Sequence, residues 1–187
     1  MRYLVIDATT RDNSRTKKLY KEYLKRLNGD INIINLYDLN IKPLNKNDII
    51  KRDNLLLSNN YNDPMLALAN DFVTYDEIII AAPYWDLSFP SILKVYFENI
   101  SVVGITFHYE NGLPKGLAKA KRFIYFSTCG GPIFNHHLGY EYTKELLGMF
   151  GIHESYNCYI DSLDVDPNKE EELLNSGINR ILKQLGF

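Results

Sequence analysis

The sequence predicts an α/β fold, a doubly wound five-stranded parallel sheet of order 2-1-3-4-5. Three observations carry that reading. Short apolar runs alternate with helix-period patterns along the chain, and strands joined through helices are parallel, because parallel neighbours need crossover connections. Residues 78–82 (Ile78, Ile79, Ile80, Ala81, Ala82) are apolar at every position, as in a strand buried on both faces. Polar, hydroxyl-rich or glycine-rich loops follow the first, third and fourth strands, and open α/β sheets bind ligands at the carboxyl ends of strands around a switch point. The loops 9–16, 83–89 and 127–132 should therefore converge on one crevice.

The elements follow in order. Tyr3, Leu4, Val5 and Ile6 form the first strand, and Asp7 with the polar segment 8–15 leads into a helix. Leu19, Tyr23, Leu24 and Leu27 share one face of that helix, with Lys17, Lys18, Lys21, Lys25 and Arg26 largely on the other. Asn28 and Gly29 end it, and Ile31, Ile33 and Ile34 make the second strand. The polar connection 37–63 is long for a compact fold, and Leu55, Leu56 and Leu57 mark a short helix within it, near the binding face. Asp63 and Pro64 suit an N-cap and first helical position, opening a helix through Leu66, Leu68, Ala69, Phe72 and Val73 into the third strand.

Pro90 suits the first turn of the next helix, whose apolar face is Ile92, Val95, Tyr96 and Ile100. Between Gly104 and Gly116, Ile105, Phe107 and Tyr109 alternate ahead of Asn111-Gly112, which predicts a hairpin flap. Residues 122–127 are the fourth strand. Tyr142, Leu146, Met149 and Phe150 mark a helix that Gly151 closes as a left-handed cap, and 152–160 hold the fifth strand. Asp166 and Pro167 open a last helix in which Leu174, Ile178, Ile181, Leu182 and Leu185 make an amphipathic stripe. No repeat or linker divides the chain, so residues 1–187 are read as one domain.

Composition narrows the function. With 45% hydrophobic and 24% charged residues the 187-residue chain reads as globular, with enough length for a sizeable core. Twenty-one basic against 23 acidic residues leave a formal charge of −2, which argues against nucleic acid or an anionic membrane as partner and makes any phosphate site local. No apolar run has the length of a membrane span and no signal-peptide pattern leads the chain, so a cytoplasmic protein is expected. Cys129 and Cys158 lack metal-ligand spacing, which indicates neither a disulfide framework nor a metal cluster.

The loops carry the candidate chemistry. Thr9, Thr10, Ser14 and Thr16 offer hydroxyls where a helix begins, a place suited to a phosphate and equally to simple N-capping. Tyr84 and Trp85 can supply stacking surface and main-chain donors, and Gly130 and Gly131 allow close backbone approach to a planar ligand; packing aromatics beside a glycine-rich turn is the plainer alternative. The absence of GxGxxG and Walker sequences disfavours a dinucleotide bound in the Rossmann manner or a nucleoside triphosphate. Ser127 and Cys129 have no assignable base, and adjacent His136 and His137 make a weak metal pair. The chemistry is better supplied by a cofactor.

Two stretches carry a family resemblance across nearly the whole chain. APYWDLSFPSILKVYFENI resembles the A-P-M-Y-N-F-x-I-P-x-x-L-K-x-Y-F segment, and GITFHYENGLPKGL the G-x-T-F-x-Y-x-x-x-G-P-x-G-L flap, of the FMN-dependent NADH-azoreductases, flavodoxin-like NAD(P)H:quinone oxidoreductases. STCGG stands where that family has S-R-G-G, and TTRDNSRT where it has a serine-rich loop. The resemblance implies phosphate contacts from Thr9, Ser14, Arg15 and Thr16. It implies isoalloxazine contacts from Tyr84, Trp85, Asp86 and Leu87 and from Thr128, Cys129, Gly130 and Gly131, with Phe107 on a substrate wall. It further implies a homodimer and ping-pong chemistry, in which NADH or NADPH reduces FMN, leaves, and a quinone or azo compound receives two electrons. No protein acid or base is required. Asp86 replaces the family's Asn and Cys129 its Arg, so charge near the flavin differs from the pattern. A flavodoxin-like carrier of single electrons between proteins is the alternative, but the Thr-x-Thr-Gly-x-Thr loop and strongly acidic surface of such carriers are both absent.

Overall fold

The computed structural model describes residues 1–187. The chain runs β1 (Arg2–Asp7), α1 (Arg15–Leu24), β2 (Asp30–Asn35), α2 (Lys46–Leu57), α3 (Ala67–Phe72), β3 (Glu77–Ala81), α4 (Ser91–Ile100), β4 (Phe107–Glu110), β5 (Leu113–Gly116), β6 (Arg122–Thr128), α5 (Leu138–Met149), β7 (Glu154–Ile160) and α6 (Glu170–Gln184). Five strands form one parallel sheet, β2-β1-β3-β6-β7, which is the expected 2-1-3-4-5 once the separate hairpin β4-β5 is set aside.

Side chains alternate across each strand, so the central strands feed two cores. Leu4, Ile6, Ile78, Ile80, Phe123 and Tyr125 meet residues of α3, α4 and α5, such as Phe72, Phe97 and Leu147, on one face. Val5, Ile79, Ile124 and Phe126 meet Leu19, Tyr20 and Tyr23 of α1 and Leu174, Ile181 and Leu182 of α6 on the other. Every residue of β3 is buried, as a strand covered by helices on both sides must be.

Local chemistry sets several details differently from expectation. Pro90 sits at the N-cap of α4, one position before the helix. The buried face of α4 is Leu93, Tyr96, Phe97 and Ile100, with Ile92 and Val95 only half-buried. On α5 the fully buried positions are Gly139, Thr143 and Leu147, while Tyr142 stays 38% exposed. The segment after Asp63 divides: Asp63 accepts the Met65 amide (2.9 Å) over a 3-10 turn, Pro64–Leu66, before α3 starts. The leucines 55–57 belong to the longer α2, which has no fully buried residue and leaves Leu57 exposed. At the hairpin tip Asn111 and Gly112 have φ of 52° and 79°, the paired left-handed values of a type I′ turn. Gly151 (φ 91°) closes α5 as expected, with Ile152 N–H on the Leu147 carbonyl (2.9 Å) and Gly151 N–H on that of Gly148 (3.0 Å).

Candidate functional site

The carboxyl ends of β1, β3 and β6 open into one crevice of about 440 Å³, within the size range of small-molecule sites. Its lining comes from the three anticipated loops: Thr10, Arg11, Asn13, Ser14, Arg15 and Thr16, then Pro83, Tyr84 and Trp85, then Thr128 and Gly130. A fourth segment, after β7, adds Asp164 and Glu170.

Hydrogen bonds fix how these loops meet. Ser14 caps α1, its Oγ accepting the Lys17 amide (3.3 Å), while the amides of Arg15 and Thr16 lie in the first turn, where a helix provides no acceptor of its own. Thr16 Oγ1 and Thr128 Oγ1 are 2.7 Å apart and buried, joining the first loop to the end of β6. Asp7, 2% exposed, accepts from the Thr9 amide (2.8 Å) and the Tyr20 hydroxyl (2.9 Å) and so braces the loop from behind. Thr9 Oγ1 is buried with no partner. The strand-like path beyond β3 continues as Ala82 N–H donates to the Phe126 carbonyl (3.0 Å) and Tyr84 N–H to that of Thr128 (3.1 Å).

Trp85 and Ser88 exchange backbone hydrogen bonds (3.2 and 2.7 Å) around Asp86 (φ 49°) and Leu87 (φ 65°). This is again the type I′ pattern, but with leucine in a left-handed position that glycine favours. The strain is of order 1–2 kcal/mol for a side chain in that region, partly offset by the greater chain entropy of glycine. Leu87→Gly is therefore expected to stabilise the protein by about 0.5–1 kcal/mol, read as a rise of about 1–4 °C in thermal midpoint. An unchanged or lower midpoint would show that Leu87 makes compensating contacts.

The predicted residues sort clearly. Ser14, Arg15, Thr16, Tyr84, Trp85, Thr128 and Gly130 line the crevice. Thr9 lies just behind it, fully buried. Asp86 and Leu87 occupy the exposed tip of the turn next to Trp85, and Gly131 is exposed with open space where a side chain would start. Cys129 is half-buried, its thiol pushed up chiefly by burial. Phe107 is placed otherwise than expected: it packs into the core, 6% exposed and stacked 6.0 Å from Phe150, while Tyr109, on the same face of the ribbon but nearer its tip, is exposed.

Arg15, Asp164 and Glu170 escape a reading of local sequence as a group. Arg15 Nη1 donates to Asp164 Oδ1 (2.6 Å) and Nη2 reaches Oδ2 (3.4 Å), with Glu170 Oε1 at 3.6 Å. The guanidinium holds the Asp164 carboxyl below its usual range. The available signal was positional, since the acidic loop after the fifth strand ends on the same sheet edge as the others.

His137 also gains a place that sequence did not give it. It is 4% exposed, packed edge-on against Tyr84 (5.0 Å), Tyr125 (5.3 Å) and Tyr159 (5.8 Å). Its Nδ1 accepts the Tyr140 amide (3.2 Å) and caps α5, which puts the proton on Nε2. Its neighbour His136 is exposed.

Comparison with known proteins bears on the fold and the family. A family model described as a flavodoxin-like fold matches residues 1–185. An FMN-dependent NADH:quinone oxidoreductase of Clostridium perfringens is 35% identical, over 96% of this chain and 94% of its own length. One from Lachnoclostridium phytofermentans is 32% identical over 86% of this chain and 82% of its own. Among solved structures, an azoreductase from Bacillus anthracis superposes with a TM-score of 0.84 at 21% identity, covering 98% of this chain and 97% of that one. An FMN-dependent NADH-azoreductase from Bacillus anthracis, in complex with FMN, gives 0.78 at 20% identity, over 98% of each chain. Those two likenesses are of fold. With the family match and the sequence relatives, they make the chain a flavodoxin-like-fold member of the FMN-dependent NADH:quinone oxidoreductase family.

Proposed function

We propose that the protein is an FMN-dependent NAD(P)H oxidoreductase that passes two electrons, by a ping-pong route, to quinones or azo compounds. One observation carries the reading: three loops from separate strand ends bring a helix N-terminus with free amides and an exposed aromatic wall to one crevice. The donor set fits the cofactor. Hydroxyls of Ser14 and Thr16, the first-turn amides of α1 and the guanidinium of Arg15 suit a phosphate, and the unpartnered Thr9 Oγ1 lies behind them. Tyr84, Trp85, Thr128 and Gly130 suit a flat polar ring with an apolar face, Cys129 and Gly131 continuing that rim.

When bound, the flavin supplies the redox chemistry, accepting two electrons with a hydride from a reduced nicotinamide and yielding them to an acceptor. The residues of this chain do the holding. The Thr16–Thr128 contact fixes the phosphate loop against the end of β6, and the Tyr84–Thr128 backbone bond sets the height of the aromatic loop above the sheet. Trp85, 40% exposed, and Leu87, 63% exposed, leave an apolar rim for a planar acceptor. No histidine lines the crevice, and the raised Cys129 thiol remains protonated, so solvent delivers the protons. The reading includes a cytoplasmic homodimer whose second copy walls the acceptor site, with Tyr109 rather than Phe107 as the exposed flap aromatic. No helix is long and apolar enough to cross a membrane.

The test is an anaerobic absorbance titration of FMN-loaded protein with NADH, then NADPH, then a quinone. Full bleaching by one or both nucleotides without a stable one-electron form, reversed by the quinone, is expected. Bound flavin that neither nucleotide bleaches would overturn the reductase in favour of a carrier.

A further inference from the structure

Arg15 is the less exposed of the two cations on the crevice wall and the one placed to meet a phosphate, yet its charge is already engaged. Its guanidinium forms a two-pronged pair with Asp164 and has Glu170 as a further anionic neighbour. The backbone fixes the loop that carries Asp164. Ser162, Leu163 and Asp164 donate their amides to the carbonyls of Gly131, Cys129 and Gly130 (3.0, 3.2 and 2.8 Å), which ties the loop after β7 to the loop after β6. A Cβ at residue 130 would meet the Asp164 carboxylate, which would have to swing aside. The carboxylate thus fills the space of the missing side chain and forms part of the crevice wall. Of the charged residues lining the crevice, Arg11 and Arg15 are balanced by Asp164 and Glu170, a formal sum of zero before any phosphate enters.

We infer that Asp164 competes with the ligand phosphate for Arg15, so that it sets how far this chain favours a phosphorylated flavin over an unphosphorylated one. The inference rests on the flavin reading above. A phosphate monoester brings a charge of about −1.5 to −2 at neutral pH. To be held by Arg15 it must share or displace a carboxylate already paired with that guanidinium at 2.6 Å. The Asp164 side chain is 64% exposed, so salt screens part of the repulsion, while Arg15 itself is only 24% exposed. The unphosphorylated ring system makes no such demand. The competition therefore acts on the phosphate end alone and lowers selectivity for FMN over riboflavin.

The experiment is a flavin fluorescence titration of apo protein with FMN and, separately, riboflavin, for the native chain, Asp164→Asn and Glu170→Gln. Asparagine keeps the size of the side chain against Gly130 and removes its charge. The expected result is FMN binding about tenfold tighter in Asp164→Asn with riboflavin unchanged, and a smaller shift in the same direction for Glu170→Gln. Weaker or unchanged FMN binding by a variant with a native-like thermal midpoint would overturn the inference, since Asp164 would then be orienting Arg15 toward the phosphate or acting only in the fold. Equal tightening of FMN and riboflavin would also overturn it. Should Asp164→Asn lose its thermal transition, inorganic phosphate stabilising Glu170→Gln more than the native chain in a thermal shift supports the inference, and equal stabilisation overturns it. Failure of every form, native included, to bind either flavin would instead sink the flavin reading.

Discussion

Ser14→Asp is expected to weaken FMN binding by about 100-fold or more while leaving the fold intact. Ser14 caps α1 through its side chain, and aspartate is an equally good N-cap, so the helix keeps its start. What changes is charge. A carboxylate about 4 Å from a phosphate costs roughly 4 kcal/mol per pair of unit charges at an effective dielectric of 20, well beyond the 2.7 kcal/mol or so that corresponds to 100-fold. The substitution also removes a hydroxyl donor. Flavin fluorescence titration reads the affinity, and a thermal melt shows that the fold remains. Native-like affinity would remove the phosphate from the N-terminus of α1.

The second large effect is acid sensitivity from His137. Burial holds its imidazole down at about 4 against an ordinary value near 6.5. Protonation would also abolish Nδ1 as acceptor for the Tyr140 amide and set a positive charge at the N-terminus of α5, the unfavourable end of the helix dipole. The folded-state value is depressed, so the unfolded chain takes up the proton first. Stability is therefore full above pH 6.5 and is lost progressively as pH falls toward 4. The loss should reach about 3 kcal/mol, at 1.36 kcal/mol per unit. His137→Asn keeps an N-cap acceptor and removes the titration. Urea unfolding between pH 7 and 4.5 should show the native chain losing stability more steeply than the variant, whose absolute stability will be lower because of the space it leaves among the three tyrosines. Parallel pH profiles would mean that His137 is protonated in the fold or reached by water.

Much of this molecule was legible from periodicity, and the reasons for the rest are physical. A parallel strand buried on both faces writes itself as an uninterrupted apolar run, so β3 could be read directly, and the sheet order followed from the doubly wound class that the alternation of strands and helices implied. Convergence of the loops followed from topology, since all strand carboxyl ends lie on one edge. Amphipathic faces were read less well on α4 and α5, because tyrosine and glycine obscure the stripe: Phe97 and Leu147 are core, while Tyr142 straddles the boundary. Phe107 shows the same limit in a strand. Alternation told that Phe107 and Tyr109 share a face of the ribbon, but which of them the body of the protein covers depends on Phe150, more than forty residues away in sequence. Asp164 and His137 were illegible for a related reason, since each gains its role only through partners brought by tertiary packing: Arg15 for one, and three tyrosines with the Tyr140 amide for the other.

The most direct test of the account is a crystal structure of the protein reconstituted with FMN. Density for the phosphate is expected at the first turn of α1, within hydrogen-bonding reach of Ser14 and Thr16, and for the ring system between the Tyr84–Trp85 loop and Gly130. A flavin bound in the groove between α1 and α6, or ring and phosphate ends exchanged within the crevice, would contradict it.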